Sequence, residues 1–215
     1  MPAAERFVVV EKPPGMLSVP GKGPGKQDCV AARVREAFPA ATGPLIVHRL
    51  DMETSGLMVL ALDADAHRDL SRQFERREVE KQYVAVLEGN VPGDEGVVDL
   101  PLRPDIENRP HQIVDFVHGG AAITRWRVTG REAGRTRVLF VPRTGKSHQL
   151  RMHAATPPDS LARPDGTRTG GLGCPIVGDT LYGTPGARML LHASLLAFRD
   201  PATGARVEFA SEPEF

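Results

Sequence analysis

Between residues 81 and 142 the chain breaks into short runs with the period of β-structure. "KQYVAVLEG" (81–89) alternates apolar and polar residues, and "QIVDFVH" (112–118), "AITRWRVTG" (122–130) and "TRVLFVP" (136–142) follow as candidate antiparallel strands. Further strands are predicted over 6–12, 44–50, 57–62, 190–198 and 206–210. Helical spacing covers only 28–38, with Asp28 as N-cap, 64–77, with Asp63 as N-cap and Leu70 and Phe74 on one face, and 147–155. Residues 13–26 and 156–175 are rich in proline and glycine and read as loops, the second unusually long for a compact domain. Strands outnumber helices and do not alternate strictly with them. That predicts an α+β fold on a mostly antiparallel sheet.

The 215 residues suffice for one large domain or two small ones. Apolar runs fall far short of the ~20 residues of a membrane span, and the N-terminus lacks a basic segment followed by a long apolar one. Cys29 and Cys174 form no disulfide framework and lie in no metal-ligand spacing. A reduced, cytoplasmic protein is expected, without membrane or metal partners. Lysine plus arginine balance aspartate plus glutamate at 27 each, which excludes a strongly basic nucleic-acid binder. The distribution is uneven: residues 88–120 carry seven acids and two bases, residues 131–170 eight bases and three acids. The second block reads either as a solvated loop region or as a face that attracts phosphate.

Four polar sites fall at strand edges or helix starts: "HRLD" (48–51), "KQY" (81–83), "GKSHQLR" (145–151) and "GDTLYG" (178–183). Singly, each has an ordinary structural meaning. Asp51, before Thr54-Ser55-Gly56, is a turn residue or a group with chemical work, because a half-buried carboxylate needs pairing. Tyr83 fits a core position. His148 and His153 are five apart, off the i, i+4 face of helical zinc motifs. Gly178 and Tyr182 mark a turn. A hydrolase built on Ser55 or Ser147 finds no Gly-x-Ser-x-Gly elbow.

Taken in order, "VEKPPGMLSVPG", "HRLDMETSGLMVLALD", "KQYVAVLEG", "DLPLRPDIENRP", "TGKSHQLRMH", "GDTLYG" and "LLHASLLAF" resemble the RluA family of pseudouridine synthases over residues 6–210. The likeness is strongest to compact members without an S4 domain. It implies a single catalytic domain over 1–215, with 156–172 inserted, and an active-site cleft across a mixed sheet flanked by helices and loops. It also implies isomerisation of a uridine within RNA, with no metal, nucleotide or redox cofactor. The RNA would be a tRNA anticodon stem-loop, a large-subunit rRNA hairpin, or both. On the family pattern Asp51 is the catalytic carboxylate, Arg151 its ion-pair partner, and Tyr83 the ring that stacks on the target uracil. Arg49 enters the RNA stack vacated by the flipped base. His48, Lys12, Lys146 and His148 are the remaining expected RNA contacts, and a monomer is expected. The chain departs from the family where Lys146-Ser147-His148 replaces Arg-Thr-His, and in about fifteen extra residues carrying Arg163 and Arg168. Those residues are either a tolerated surface loop or an added RNA contact. A catalytically inactive RNA-binding or assembly module on the same fold is the competing reading; it predicts loss of Asp51, Tyr83 or Arg151, and all three are present.

Overall fold

The computed structural model describes residues 6–215. The reading of the N-terminus as free of a leader falls partly on residues 1–5, outside these. In chain order the elements are β1 (Phe7–Lys12), α1 (Val30–Ala37), β2 (Ser55–Ala61), α2 (Ala64–Glu75), β3 (Glu80–Glu88), β4 (Glu95–Asp99), β5 (Leu102–Pro104) and β6 (Gln112–Val114). There follow β7 (Ile123–Glu132), β8 (Arg135–Pro142), α3 (Gln149–Ala155), β9 (Leu161–Ala162), β10 (Arg168–Thr169), β11 (Leu191–Arg199) and β12 (Arg206–Ala210). The fold is α+β with a mixed sheet. The chain divides into two compact units: residues up to Lys81 with His192–Glu214, and Gln82–Leu191 with Phe215.

In the first unit β2 is the central strand. It pairs antiparallel with β1 from Phe7–Ala61 to Lys12–Gly56, and parallel with β11 at His192–Ser55 and Ala193–Gly56. β12 lies antiparallel on β11. Every residue of β2 is buried, which is why "LMVLAL" is apolar without alternation. Leu57, Val59 and Ala61 pack with Ala66 and Leu70 of α2 and with Leu196 and Phe198 of β11. Asp63 caps α2 as expected, accepting from the Asp65 and Ala66 N–H groups at 2.9 and 2.8 Å. α1 differs: its N-cap is Cys29, whose Sγ accepts from the Ala32 N–H, while Asp28 binds Arg33 instead. Residues 44–50 also depart from the expected strand. They make one bridge, Ile46–Leu60, after which His48 Nε2 accepts the Val59 N–H at 3.0 Å where a strand would offer a carbonyl.

In the second unit β3, β8, β7 and β4 form an antiparallel succession. Ala85, Leu87, Trp126, Val138 and Phe140 point to the face that Leu150 and Ala154 of α3 cover. The strand expected over 112–118 stops at Val114 and pairs only with β5. Asp115 ends it by accepting from the Val117 and His118 N–H groups, both at 2.9 Å, so its side chain competes with the ladder. The loop expected over 156–175 contains a small hairpin, β9 on β10.

Candidate active site

The segment around Asp51 is tied down from both sides. At the end of β1, Lys12 is fully buried, and Nζ donates to the carbonyls of Pro13, Met16 and Met52 at 2.9, 2.7 and 2.8 Å. The Gly15 N–H adds a second bond to the Met52 carbonyl, at 2.9 Å. The Asp51 carbonyl accepts the Thr54 N–H at 3.1 Å, so the main chain of Asp51 makes the turn, and its side chain is half-buried. Burial pushes the Lys12 ammonium down to about 8, against the attraction of Glu53 and Asp51. This corrects the expectation for Lys12: with no exposed surface and three backbone acceptors, it holds the turn rather than touching RNA.

His48 is half-buried. Its ring stacks on Phe74 at 4.5 Å, Nε2 is engaged by Val59, and burial pushes it down to about 3, with Lys81 adding to the effect. It is a neutral acceptor in the packing of α2. Arg49, its neighbour, is exposed. The Thr-Ser-Gly that follows Asp51 has a structural reason. Gly56 has φ +109°, and a Cβ there would lie 2.3 Å from the Ala193 carbonyl oxygen, so only glycine lets β11 approach. Ser55 Oγ lies 2.9 Å from His192 Nδ1, and His192 Nε2 lies 3.0 Å from Ser211 Oγ, a line from the buried start of β2 to the half-buried residue that follows β12.

In the second unit the loop 144–148 leads into α3. Gln149 clamps it: Oε1 accepts from Thr144 Oγ1 and the Lys146 N–H at 2.8 and 3.0 Å, and Nε2 donates to the Ile123 carbonyl and Thr124 Oγ1. Lys146 is left exposed. His148 precedes the helix with φ +53°. Arg151, one turn into α3, donates through Nε and Nη2 to Asp179 Oδ2 and Oδ1 at 2.8 and 2.6 Å. Burial alone would push the Asp179 carboxyl up. The guanidinium, with the N–H groups of Leu181 and Tyr182, outweighs this and holds it below the usual range. The guanidinium also lies over the Tyr182 ring, 5.3 Å from its centroid. Tyr83, half-buried at the start of β3 opposite Phe140, packs against the main core. The bonds made by Asp179, Gln149 and His192 were not read from "GDTLYG", "HQLR" and "LLHAS", which contain them; a polar side chain inside a turn or helix motif shows no partner until the chain is folded.

Several bases of the block 131–170 are engaged within the protein. Arg131 pairs with Asp94, Arg151 with Asp179, and Arg137 donates to the Phe215 carbonyl. Arg163 lies over the Phe116 ring at 5.5 Å and donates to the Asp99 carbonyl at 2.9 Å, while Arg168 Nε donates to the Asp159 carbonyl at 2.8 Å. Arg135, Arg143 and Lys146 remain as exposed cations. Among the described residues no group of three or more His, Cys, Asp or Glu could hold a metal ion, and no helix is long and apolar enough to cross a membrane.

The fold is that of the pseudouridine synthases. Human RNA pseudouridylate synthase domain containing 1 matches 99% of the chain and 82% of its own with TM-score 0.74 at 26% identity. Human RNA pseudouridylate synthase domain containing 4 matches 99% and 87% with TM-score 0.73 at 23%. The description "RNA pseudouridylate synthase" fits residues 6–156. The dual-specificity RNA pseudouridine synthase RluA of Yersinia pestis is 42% identical over 98% of the chain and 97% of its own length, and that of Escherichia coli strain K12 is 42% identical over 98% and 91%. The chain therefore belongs to the RNA pseudouridylate synthases, as a member of the RluA family and an isomerase acting on RNA.

Proposed function

We propose that residues 6–215 act as one cofactor-independent catalytic domain that converts uridines to pseudouridine in a tRNA anticodon stem-loop and a large-subunit rRNA hairpin. The observation that carries this is the near end-to-end match to relatives named dual-specificity RNA pseudouridine synthases. In the reaction N1–C1′ breaks and C5–C1′ forms; C5 gives up a proton and N1 gains one, so nothing is oxidised or transferred away. Asp51 is the catalytic carboxylate. Whether it attacks C1′ or C6 or takes the 2′ proton, it starts ionised. Arg151 is the second residue assigned to the reaction. Its burial and two-point grip on Asp179 support the reading, because a guanidinium held this way cannot swing to solvent. Tyr83 stacks on the flipped uracil. Arg49 fills the vacated place in the RNA and Lys146 meets phosphate, both from exposed positions.

The test is mapping of pseudouridine in tRNA and rRNA from cells with and without the gene, followed by conversion of both stem-loops by purified protein. Loss of one tRNA and one rRNA pseudouridine is the expected result. Unchanged maps would overturn the substrate assignment.

A further inference from the structure

The Tyr182 side chain joins more segments than a turn residue needs to. Its hydroxyl accepts the Gln112 N–H at 2.8 Å and lies 2.9 Å from Nδ1 of His148. The phenol oxygen serves both partners, accepting from Gln112 and either donating to or accepting from Nδ1 according to the imidazole tautomer. The ring meets His111 and His148 edge-on, with centroids 5.5 and 5.7 Å away, and carries the Arg151 guanidinium. The base of the ring is fixed too: Asp179 Oδ1, which takes Arg151 Nη2, also accepts the Tyr182 N–H at 3.0 Å.

The two segments on the hydroxyl are both preformed. Residues 105–111 close on themselves: Asp105 accepts from the N–H groups of Glu107 and Asn108, the Asp105 N–H bonds to the His111 carbonyl, and the His111 N–H to that of Asn108. This loop presents Ile106, 71% exposed, and exposed Arg109 at its tip. The other segment, 144–148, ends at His148 in the left-handed region, a conformation that costs a non-glycine residue energy and persists only where its surroundings hold it.

We propose that Tyr182 is a positioning residue for the isomerisation, linking the 105–112 loop and the 144–148 loop to the orientation of Arg151. The inference rests on the reading of Arg151 given above. RNA that engages either loop then acts through one side chain on the guanidinium. The hydroxyl joins the loops and anchors the ring, and the ring face carries Arg151, so loss of the hydroxyl alone shifts that seat without removing it.

Tyr182→Phe keeps the ring and removes the hydroxyl, so steady-state kinetics on a stem-loop separate the two. The expected result is a five- to tenfold rise in KM with kcat within about twofold of wild type, and displaced Gln112 amide and Arg151 Nε–H resonances. Tyr182→Leu should in addition lower kcat by about fiftyfold or more. A Phe variant with KM and kcat of wild type, or with a lowered kcat and unchanged KM, would overturn the proposal. Wild-type protein inactive on both stem-loops would count against the substrate assignment instead. The link is then decided by the resonances, which both move in Tyr182→Phe if it exists and do not if it is absent.

Discussion

Asp179 grips Arg151 with both carboxylate oxygens, at 2.8 and 2.6 Å, and the two side chains are 0% and 4% exposed. α3 has only seven residues, too short to be stable by itself. Its arginine is therefore oriented from outside the helix, by a residue 28 positions away.

Removing one charge from that pair breaks a buried two-point ion pair, a cost of about 3–5 kcal/mol. Asp179→Asn should lower the urea-unfolding free energy by this order and reduce turnover. Asp179→Leu combined with Arg151→Met should cost clearly less stability than Asp179→Asn, because the guanidinium that loses this carboxylate is removed with it. Equal losses would show that packing, and not the pair, holds this region.

Lys12 gives a different pattern. Lys12→Met removes the donor to three carbonyls, at about 1 kcal/mol per hydrogen bond or roughly 3 kcal/mol in all. Thermal unfolding should shift down by several degrees. Stem-loop affinity of the folded protein, measured by filter binding, should stay within about twofold, because the residue reaches no surface.

Acid should weaken the fold in two windows. His48 is pushed from 6.5 down to about 3 and His153 to about 4, each chiefly by burial. Both are neutral in the folded state, while the unfolded chain takes up protons below 6.5. Their contribution is whole above pH 6.5 and declines as the pH falls towards 4 and 3. Asp63, held down to about 2 chiefly by Arg6, contributes fully above pH 3.8 and loses its share as the pH falls through 2. Unfolding free energies between pH 7 and 4 should slope less in His48→Leu than in wild type. Identical slopes would contradict the burial of that imidazole as a neutral group.

Much of this was legible because it is local. The Asp63 cap, the all-apolar β2 and the β7–β8 pair each follow from a few adjacent residues. What was not legible depends on partners distant in the chain. Lys12 looks like a surface cation in sequence, and only three carbonyls turn it inward; nothing near His48 in sequence announces its stack on Phe74 or its bond to Val59. Asp179 was hidden inside a turn motif, and β4 in an acidic stretch where charges outweigh the brief "GVV".

The bases of 131–170 differ in what holds them: Arg163 lies on a ring and a carbonyl, while Lys146 is exposed. Lys146→Ala should flatten the dependence of log affinity on log salt by about 0.7, one phosphate on single-stranded RNA. Arg163→Ala should leave that slope unchanged and cost about 1 kcal/mol of stability, from the lost ring contact and hydrogen bond. Parallel binding curves at several salt concentrations distinguish them. A flattened slope in Arg163→Ala would make the inserted hairpin an RNA contact.

The most direct measurement is pseudouridine formation by Asp51→Asn on a stem-loop that wild-type protein converts, with binding measured alongside. The substitution keeps the size of the side chain and the turn carbonyl to Thr54 and removes only the charge. The account predicts RNA bound about as tightly as by wild type, with turnover below one-hundredth, a barrier at least ~2.7 kcal/mol higher. Turnover above that level would contradict Asp51 as the catalytic carboxylate.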